Sequence, residues 1–134
     1  MPFDWMDFLR LAQELSTQTD AAYWRDARLR SAISRAYYAA YHHARVYLEA
    51  RGEYHPGKDD PKHLYVCEQF SKSPDDARRR IGIALNRLRL DRTDADYEIR
   101  SGHIGGKTAE KDVEIARQTI ESIVKLTPGP KPRP

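Results

Sequence analysis

The side chains best suited to chemistry lie in one stretch of the chain, Arg87–Tyr97. It reads RLRLDRTDADY and places Arg89 and Arg92 three positions apart among several acidic residues. On a helix, that spacing puts both guanidinium groups on one side. Arginine is the preferred cation where a planar phosphate or carboxylate group is bound. The stretch therefore predicts either an anion-binding site or an internal arginine–carboxylate pair.

Both interpretations remain open at this point. In the first, Arg92 lies at the end of a buried stripe and pairs with Asp94 or Asp96 after the chain turns. A guanidinium near the interior of a bundle needs such a partner. In the second, Arg89 and Arg92 bind phosphate, and the neighbouring acids are paired or accept protons. The wider arginine cluster around this stretch suits either a solvated helix face with local salt bridges or an anion-binding surface.

Other classes of site are not indicated. His63 and Cys67 are four positions apart, but two ligands do not make a zinc site, so we expect no metal. No glycine loop has the context of a nucleotide cofactor site, and we expect no cofactor. The single cysteine permits no intrachain disulfide and suits a reducing cytoplasm. The net charge of +3 is too small to indicate nucleic-acid binding by itself.

The elements that position these residues are predicted to be helices throughout. Apolar residues recur at helical spacing, and no run approaches the roughly 20 apolar residues that span a bilayer, so we expect no membrane association. We predict an all-α, up-and-down bundle of four to five helices with one long central helix, covering residues 1–126. Residues 127–134 contain four prolines and are predicted to be a disordered tail. The predicted helices span residues 3–16, 20–51, 61–70, 74–91 and 108–126.

Capping residues set the predicted helix ends. Asp4 caps the first helix, and Gly52 ends the long second one. Asp60 followed by Pro61 opens the third, and Ser73-Pro74 opens the fourth in the same way. Residues 94–107 contain three glycines and are predicted to form a loop. The predicted inner positions of the long helix are Leu29, Ile33, Ala36, Ala40, Ala44 and Leu48. Those of the fourth helix are Ala77, Ile81, Ala84, Leu85 and Leu88. Those of the last helix are Val113, Ala116, Ile120, Ile123 and Val124.

Two motifs taken together resemble the HEPN superfamily (higher eukaryotes and prokaryotes nucleotide-binding). One is the run RSAISRAYYAAYH at residues 30–42, and the other is LRLDRTDADY at residues 88–97. The sequence is most similar to small stand-alone prokaryotic members with SRAYYAA and RxxADY signatures, over about residues 4–126.

The resemblance implies a helical bundle that forms a homodimer and acts in toxin–antitoxin, defence or RNA-processing systems. It also implies RNA or a nucleotide as ligand and a minimal nucleotidyltransferase as an alternative partner. The binding residues that it indicates are Arg35, Tyr38, Arg89, Arg92, Asp94 and Tyr97.

Catalytic members of the superfamily are metal-independent ribonucleases with an arginine and a histidine separated by four to six residues. This chain has no histidine at that distance from Arg89 or Arg92. Arg89 and Asp96 have the required separation, so the candidate catalytic residues are Arg89, Arg92 and Asp96. An aspartate with a pKa of roughly 4 is a poor acid at neutral pH. In related toxins a tyrosine two residues after the histidine is adenylylated, whereas Tyr97 follows Asp96 directly.

Three hypotheses follow from these residues. The first is a dimeric module that binds RNA, a nucleotide or a nucleotidyltransferase without catalysing a reaction. The second is a divergent metal-independent ribonuclease that uses arginine and aspartate at a dimer interface. The third is a purely structural bundle in which an arginine–aspartate pair stabilises the fold.

Overall fold

The computed structural model describes residues 2–17, 24–99 and 105–127, and these residues form five α-helices with no strand among them. The all-α fold class predicted from the sequence is therefore confirmed. No helix in these ranges is both long enough and apolar enough to cross a membrane. The helices are α1 (Met6–Thr17), α2 (Arg25–Ala50), α3 (Lys62–Ser71), α4 (Asp76–Tyr97) and α5 (Gly106–Leu126).

The long helix α2 is the centre of the bundle and contacts each of the other four helices. Its 26 residues make it roughly 39 Å long at 1.5 Å per residue. All six predicted inner positions of this helix are buried: Leu29, Ile33, Ala36, Ala40, Ala44 and Leu48.

Contacts at the helix ends give the helix directions. At the start of α2, Arg28 donates to the carbonyl oxygen of Leu15 near the end of α1, at 2.5 Å. Arg30 donates to the carbonyl oxygen of Ala95 near the end of α4, at 3.0 Å. Beyond the other end of α2, Glu53 pairs with Arg78 near the start of α4. The helices α1 and α4 therefore run antiparallel to α2, as in an up-and-down bundle.

The predicted end of α2 is confirmed. Gly52 follows the last turn with a φ of 72°, a conformation that favours glycine. Its N–H donates to Glu49, and the N–H of Glu53 donates to the carbonyl of Leu48 at 2.8 Å. These two bonds form a Schellman motif, which satisfies the last carbonyl groups of the helix. The predicted start at Asp20 lies outside the described residues.

The predicted starts of α3 and α4 were wrong by one or two positions. Pro61 is itself the residue before α3, not its first helical residue. The Asp60 carboxylate instead accepts the N–H of Gly57 at 2.6 Å, so it closes a turn and is not a cap. At α4 the cap is Asp75, which accepts the N–H of Arg78 at 2.9 Å. An aspartate oxygen satisfies the first-turn donors there, so Ser73 is not needed.

The predicted end of α4 near Asp91 was also wrong, because the helix continues to Tyr97. The Arg30 guanidinium donates to the carbonyl oxygens of Ala95, Glu98 and Ile99, the shortest at 2.6 Å. These hydrogen bonds satisfy carbonyl groups around the end of the helix that would otherwise lack a donor. The predicted loop is correspondingly shorter, since α5 already begins at Gly106.

Two predicted core positions are exposed, Ala77 in α4 and Val124 in α5. The remaining predicted inner positions of α5 are buried, and those of α4 are buried or half-buried. The predicted disordered tail lies outside the described residues apart from Thr127.

Candidate functional site

A close contact between α3 and α4 sets up the candidate site. Gly82 of α4 is buried, and a Cβ atom at this position would overlap the backbone of Ser71 in α3. Only glycine allows this approach without a backbone shift. The contact lays α3 along α4 and brings the first turn of α3, which carries His63, towards Arg89 and Arg92.

Arg92 is the centre of the site. Its side chain is only 13% exposed and lies within ion-pair distance of Asp96, at 3.6 Å. The guanidinium carbon lies 5.3 Å from the ring centroid of Tyr37 and 5.6 Å from that of Tyr38. Contacts of this kind hold a cation over the negative face of an aromatic ring. The rings therefore fix the position of the guanidinium group.

Asp96 offsets only part of the positive charge of Arg92. The 3.6 Å separation is longer than a hydrogen bond, and Asp96 is also 3.4 Å from the Ser34 hydroxyl, which donates to it. The Nε of Arg92 is buried and has no hydrogen-bond partner among the described residues. A buried donor without a partner is rare in folded proteins. Arg92 therefore retains a capacity to bind a further acceptor.

Arg89 lies one turn earlier on α4 and has a similar environment. Its Nη2 donates to the Asn86 side chain at 2.8 Å, while its Nε is buried without a partner among the described residues. No carboxylate in the described part of the chain pairs with it. Burial raises the pKa of the neighbouring Cys67 thiol, although Arg89 partly opposes this rise. Cys67 therefore stays protonated and does not neutralise the charge of Arg89.

His63 of α3 completes the group. The Tyr37 hydroxyl lies 2.6 Å from His63 Nδ1. Burial raises the pKa of Tyr37, so the phenol keeps its proton, and we assign it as the donor. The neutral imidazole then carries its own proton on Nε2. Burial, together with the charges of Arg92 and Arg89, lowers the pKa of His63 below its ordinary value.

The site therefore contains more positive than negative charge. Two guanidinium groups and a neutral imidazole donor lie in a half-buried region, where Asp96 is paired with Arg92. Interactions with a charge are stronger there than in bulk water because the effective dielectric constant is lower. The arrangement suits an anion that accepts several hydrogen bonds, such as a phosphate group.

The structure brings together five of the seven residues predicted from the sequence. Arg35 lies over the Tyr38 ring at 5.5 Å, and Arg92 lies over the same ring. Asp96 reaches Arg92 from one helical turn later on α4, and Arg89 precedes Arg92 by one turn. The sequence predicted the pairing of Arg92 and Asp96 only after the chain turned, but both residues lie on the helix.

The other two predicted residues do not join Arg92. At roughly 100° per residue, Asp94 and Tyr97 lie about 160° and 140° around α4 from it. The backbone oxygen of Asp94 accepts from Arg30 at 3.4 Å. Tyr97 is 72% exposed. Neither side chain therefore faces the same side of α4 as Arg92.

His63 was not among the predicted site residues, because its spacing from Cys67 indicated only a possible metal ligand. The described residues contain no group of three or more His, Cys, Asp or Glu side chains arranged to hold a metal ion. One signal in the sequence would have placed it. His63 precedes the buried residues Val66, Cys67 and Phe70 at helical spacing, so it lies on the inner face of α3.

Comparison of the chain with family models, with curated proteins and with solved structures finds no match.

Proposed function

We propose that this protein is a HEPN-like binding module that holds a phosphate group of RNA or of a nucleotide between α2, α3 and α4. The observation that supports the proposal most directly is the grouping of Arg89 and Arg92 beside His63, in which Asp96 lies beyond hydrogen-bond distance of Arg92. A bound phosphate supplies acceptor oxygens for the terminal donors of these side chains.

The geometry also favours binding over a structural role. Tyr37 and Tyr38 hold the Arg92 guanidinium in place before any ligand arrives. A donor that is already oriented loses less conformational freedom on binding. His63 adds a neutral N–H donor without adding a third positive charge.

A homodimer is the assembly that we propose, and α4 offers a surface for it. Ile83, Leu90 and Tyr97 are 67%, 51% and 72% exposed and recur every seven residues, which aligns them on one side of the helix. We call these three residues the α4 stripe. Such a run of exposed apolar side chains is unusual on a monomer.

An antiparallel pairing of two copies would bring the whole stripe together. With a two-fold axis at Leu90, Leu90 meets its own counterpart, and Ile83 of each helix meets Tyr97 of the other.

The wider setting of the proposal comes from the family resemblance. It places the protein in a toxin–antitoxin or defence system, with a minimal nucleotidyltransferase as the alternative partner. The single cysteine, Cys67, is free and buried, which suits a reducing cytoplasm.

Binding of a labelled RNA, measured by fluorescence anisotropy over a range of salt, tests the proposal. We expect the affinity to fall steeply with salt, because phosphate contacts release counterions. The double variant Arg89→Gln, Arg92→Gln should weaken binding at least tenfold and flatten the salt dependence. The control Arg117→Gln, at an exposed arginine of α5, should bind as the wild type does. A wild-type protein that binds neither RNA nor AMP would overturn the proposal.

A second candidate function is metal-independent RNA cleavage at the same site. The observation in its favour is His63, a proton-exchanging group next to two arginines. In such a reaction the 2′-hydroxyl loses its proton and attacks the adjacent phosphorus. The bond to the 5′-oxygen breaks, that oxygen gains a proton, and a cyclic phosphate remains.

Incubation of structured RNA with the protein in EDTA tests this candidate. Cleavage that disappears in both Arg92→Gln and His63→Gln would support it. RNA that stays intact at high protein concentration, or cleavage that survives both substitutions, would exclude the site as a nuclease centre.

A further inference from the structure

A continuous line of aromatic rings leads away from Arg92 across α2 to the N-terminal segment. The Tyr38 ring, over which Arg92 lies, is stacked on His42 with a centroid distance of 6.2 Å. His42 in turn is stacked on Trp5 at 3.6 Å, with their planes 16° apart. We call Tyr38, His42 and Trp5 the aromatic strip. All three side chains are partly exposed.

Arginines flank this strip along its length. Arg35 lies over Tyr38 and also over Phe8, at 5.5 and 5.0 Å. No carboxylate in the described part of the chain pairs with Arg35. At the far end, Arg45 lies 5.9 Å from the Trp5 ring centroid and donates to His42 Nδ1. Arg45 is also paired with Glu49. The surroundings of the strip are therefore positively charged, and Arg35 is the flanking arginine without a paired carboxylate among the described residues.

The rings of the strip are uncharged at neutral pH. Burial lowers the pKa of His42 to about 4, and the positive charge of Arg45 acts in the same direction. A neutral imidazole stacked on an indole presents an aromatic surface and adds no charge to the site. The phosphate-binding charges are thus confined to the arginines, and the stacking surface to the rings.

We propose that the aromatic strip binds, through Trp5, an unpaired base of a single-stranded RNA whose phosphate is held by Arg89 and Arg92. This inference rests on the proposed function, because the phosphate site anchors one end of the strand. Proteins that bind single strands commonly combine a basic groove with aromatic side chains on which successive bases stack. A paired duplex buries its base faces within its own stack and has none to offer to the strip.

The contacts among the rings fit one stacked base. Trp5 lies face to face on His42 at 3.6 Å, and Arg35 and Arg92 lie over the Tyr38 ring. Trp5, at the end of the strip, is therefore the ring that receives the base. Any base can bind in this way, since every base has an aromatic face.

The chain contains two tryptophans, which allows a direct test. Trp24→Phe leaves Trp5 as the only tryptophan, and its fluorescence then reports on the strip. Three probes are titrated into this variant: an unstructured oligouridine, an abasic strand of the same length, and a fully paired RNA duplex. The abasic strand keeps the charged phosphates but has no bases to stack.

We expect oligouridine to quench Trp5 and to bind at least tenfold more tightly than the abasic strand and the duplex. One stacked base contributes about 1–3 kcal/mol, or roughly a 5- to 150-fold change in affinity. Trp5→Leu should remove most of the preference for oligouridine. The matched substitution Trp24→Leu, at an exposed tryptophan before α2, should leave it intact. If circular dichroism shows that Trp5→Leu does not fold, the inference is tested by the quenching of Trp5 and by the difference in affinity between oligouridine and the abasic strand.

The outcomes separate this inference from the proposed function. Equal affinity for oligouridine and the abasic strand, or binding of oligouridine without quenching, would refute base stacking on the aromatic strip. Neither result would contradict the phosphate site. Preferred binding of the duplex also overturns the strip. If neither strand binds, the phosphate site fails, and the strip fails with it.

Discussion

At the scale of single residues, Arg92 is the side chain that separates a binding role from a structural one. A tight buried pair would lose several kcal/mol if one partner were removed. Here the carboxylate is 3.6 Å away and Asp96 is 30% exposed, so it would remain solvated without Arg92. Two ring contacts are the main stabilising interactions that the guanidinium makes.

Arg92→Gln should therefore lower the free energy of unfolding by only about 1–2 kcal/mol, the contribution expected from two cation–π contacts. Urea denaturation monitored by circular dichroism measures this change. Arg117→Gln, at an exposed α5 position, serves as the control. A loss of 4 kcal/mol or more would instead favour the purely structural interpretation.

Asp112 is a second unusual residue, away from the site. It is wholly buried on α5, and neither of its carboxylate oxygens has a hydrogen-bond donor from a basic, amide or hydroxyl group among the described residues. Burial raises its pKa to about 8, and the neighbouring Asp91 of α4 acts in the same direction, while Arg87 and Lys111 oppose it. We infer that Asp112 keeps its proton at neutral pH and shares it with Asp91.

Asp112→Asn should remove a pH dependence of stability. The folded state holds a proton that the unfolded state releases above about pH 4, so stability falls as the pH rises from about 4 through about 8. The asparagine variant should lose this slope and melt at a higher temperature than the wild type at pH 9. Thermal melts across this range measure it, with Asp59→Asn in an exposed loop as control. An unchanged slope in Asp112→Asn would contradict the assignment.

At the scale of elements, α4 has three faces with different surroundings. One face packs in the core through Ile81, Leu85 and Leu88. A second carries Arg89, Arg92 and Asp96, and a third carries the exposed α4 stripe. The close approach of α3 at Gly82 determines whether His63 reaches the second face. The site therefore depends on one backbone contact outside it.

Gly82→Ala tests that dependence. An added Cβ overlaps the backbone of Ser71, which cannot give way as a flexible side chain would. We expect a loss of about 1–3 kcal/mol in the free energy of unfolding, as for overpacked cores. The affinity for phosphate should fall as well, because α3 moves away from α4. The same change at Gly105, the N-cap of α5, where a Cβ meets nothing within 4 Å, should cost less stability and leave the phosphate affinity unchanged. Full stability in Gly82→Ala would refute the close contact.

The elements that the sequence predicted well are those governed by local interactions. Asp4 accepts the N–H of Met6 at 3.0 Å, and Gly52 ends α2, both as predicted. The end of α4 was misplaced because it depends on Arg30, which lies more than sixty residues away in the chain. The spacing of His63 with the buried residues of α3 indicates its inner position, but its pairing with Tyr37 of another helix could not be predicted. Contacts between distant segments leave no local pattern to read.

At the scale of the whole molecule, the α4 stripe is one of the apolar surfaces that a single bundle leaves exposed. Two copies paired through it would bury six exposed apolar side chains, counting three from each copy. The phosphate site lies on a different face of α4, so pairing leaves it open to RNA.

Leu90→Glu places a charge at the proposed two-fold axis and should convert the dimer into a folded monomer. Sedimentation velocity at micromolar concentration measures the change. Leu11→Glu introduces the same charge at an exposed leucine of α1 and should leave the dimer unchanged. A wild-type protein that sediments as a monomer would refute the dimer, and a dimeric Leu90→Glu variant would place its interface elsewhere.

The central claim is that one phosphate binds between Arg89, Arg92 and His63, and the titration of His63 tests it most directly. Without ligand, burial and the two arginines hold the pKa of His63 below its usual value. A bound anion offsets the positive charge of the arginines, so the pKa should rise. NMR of the imidazole nitrogens, recorded across pH with and without AMP, measures this shift. We predict a higher pKa in the presence of AMP and no such rise in Arg92→Gln. A pKa of His63 that stays the same at saturating AMP would contradict the account.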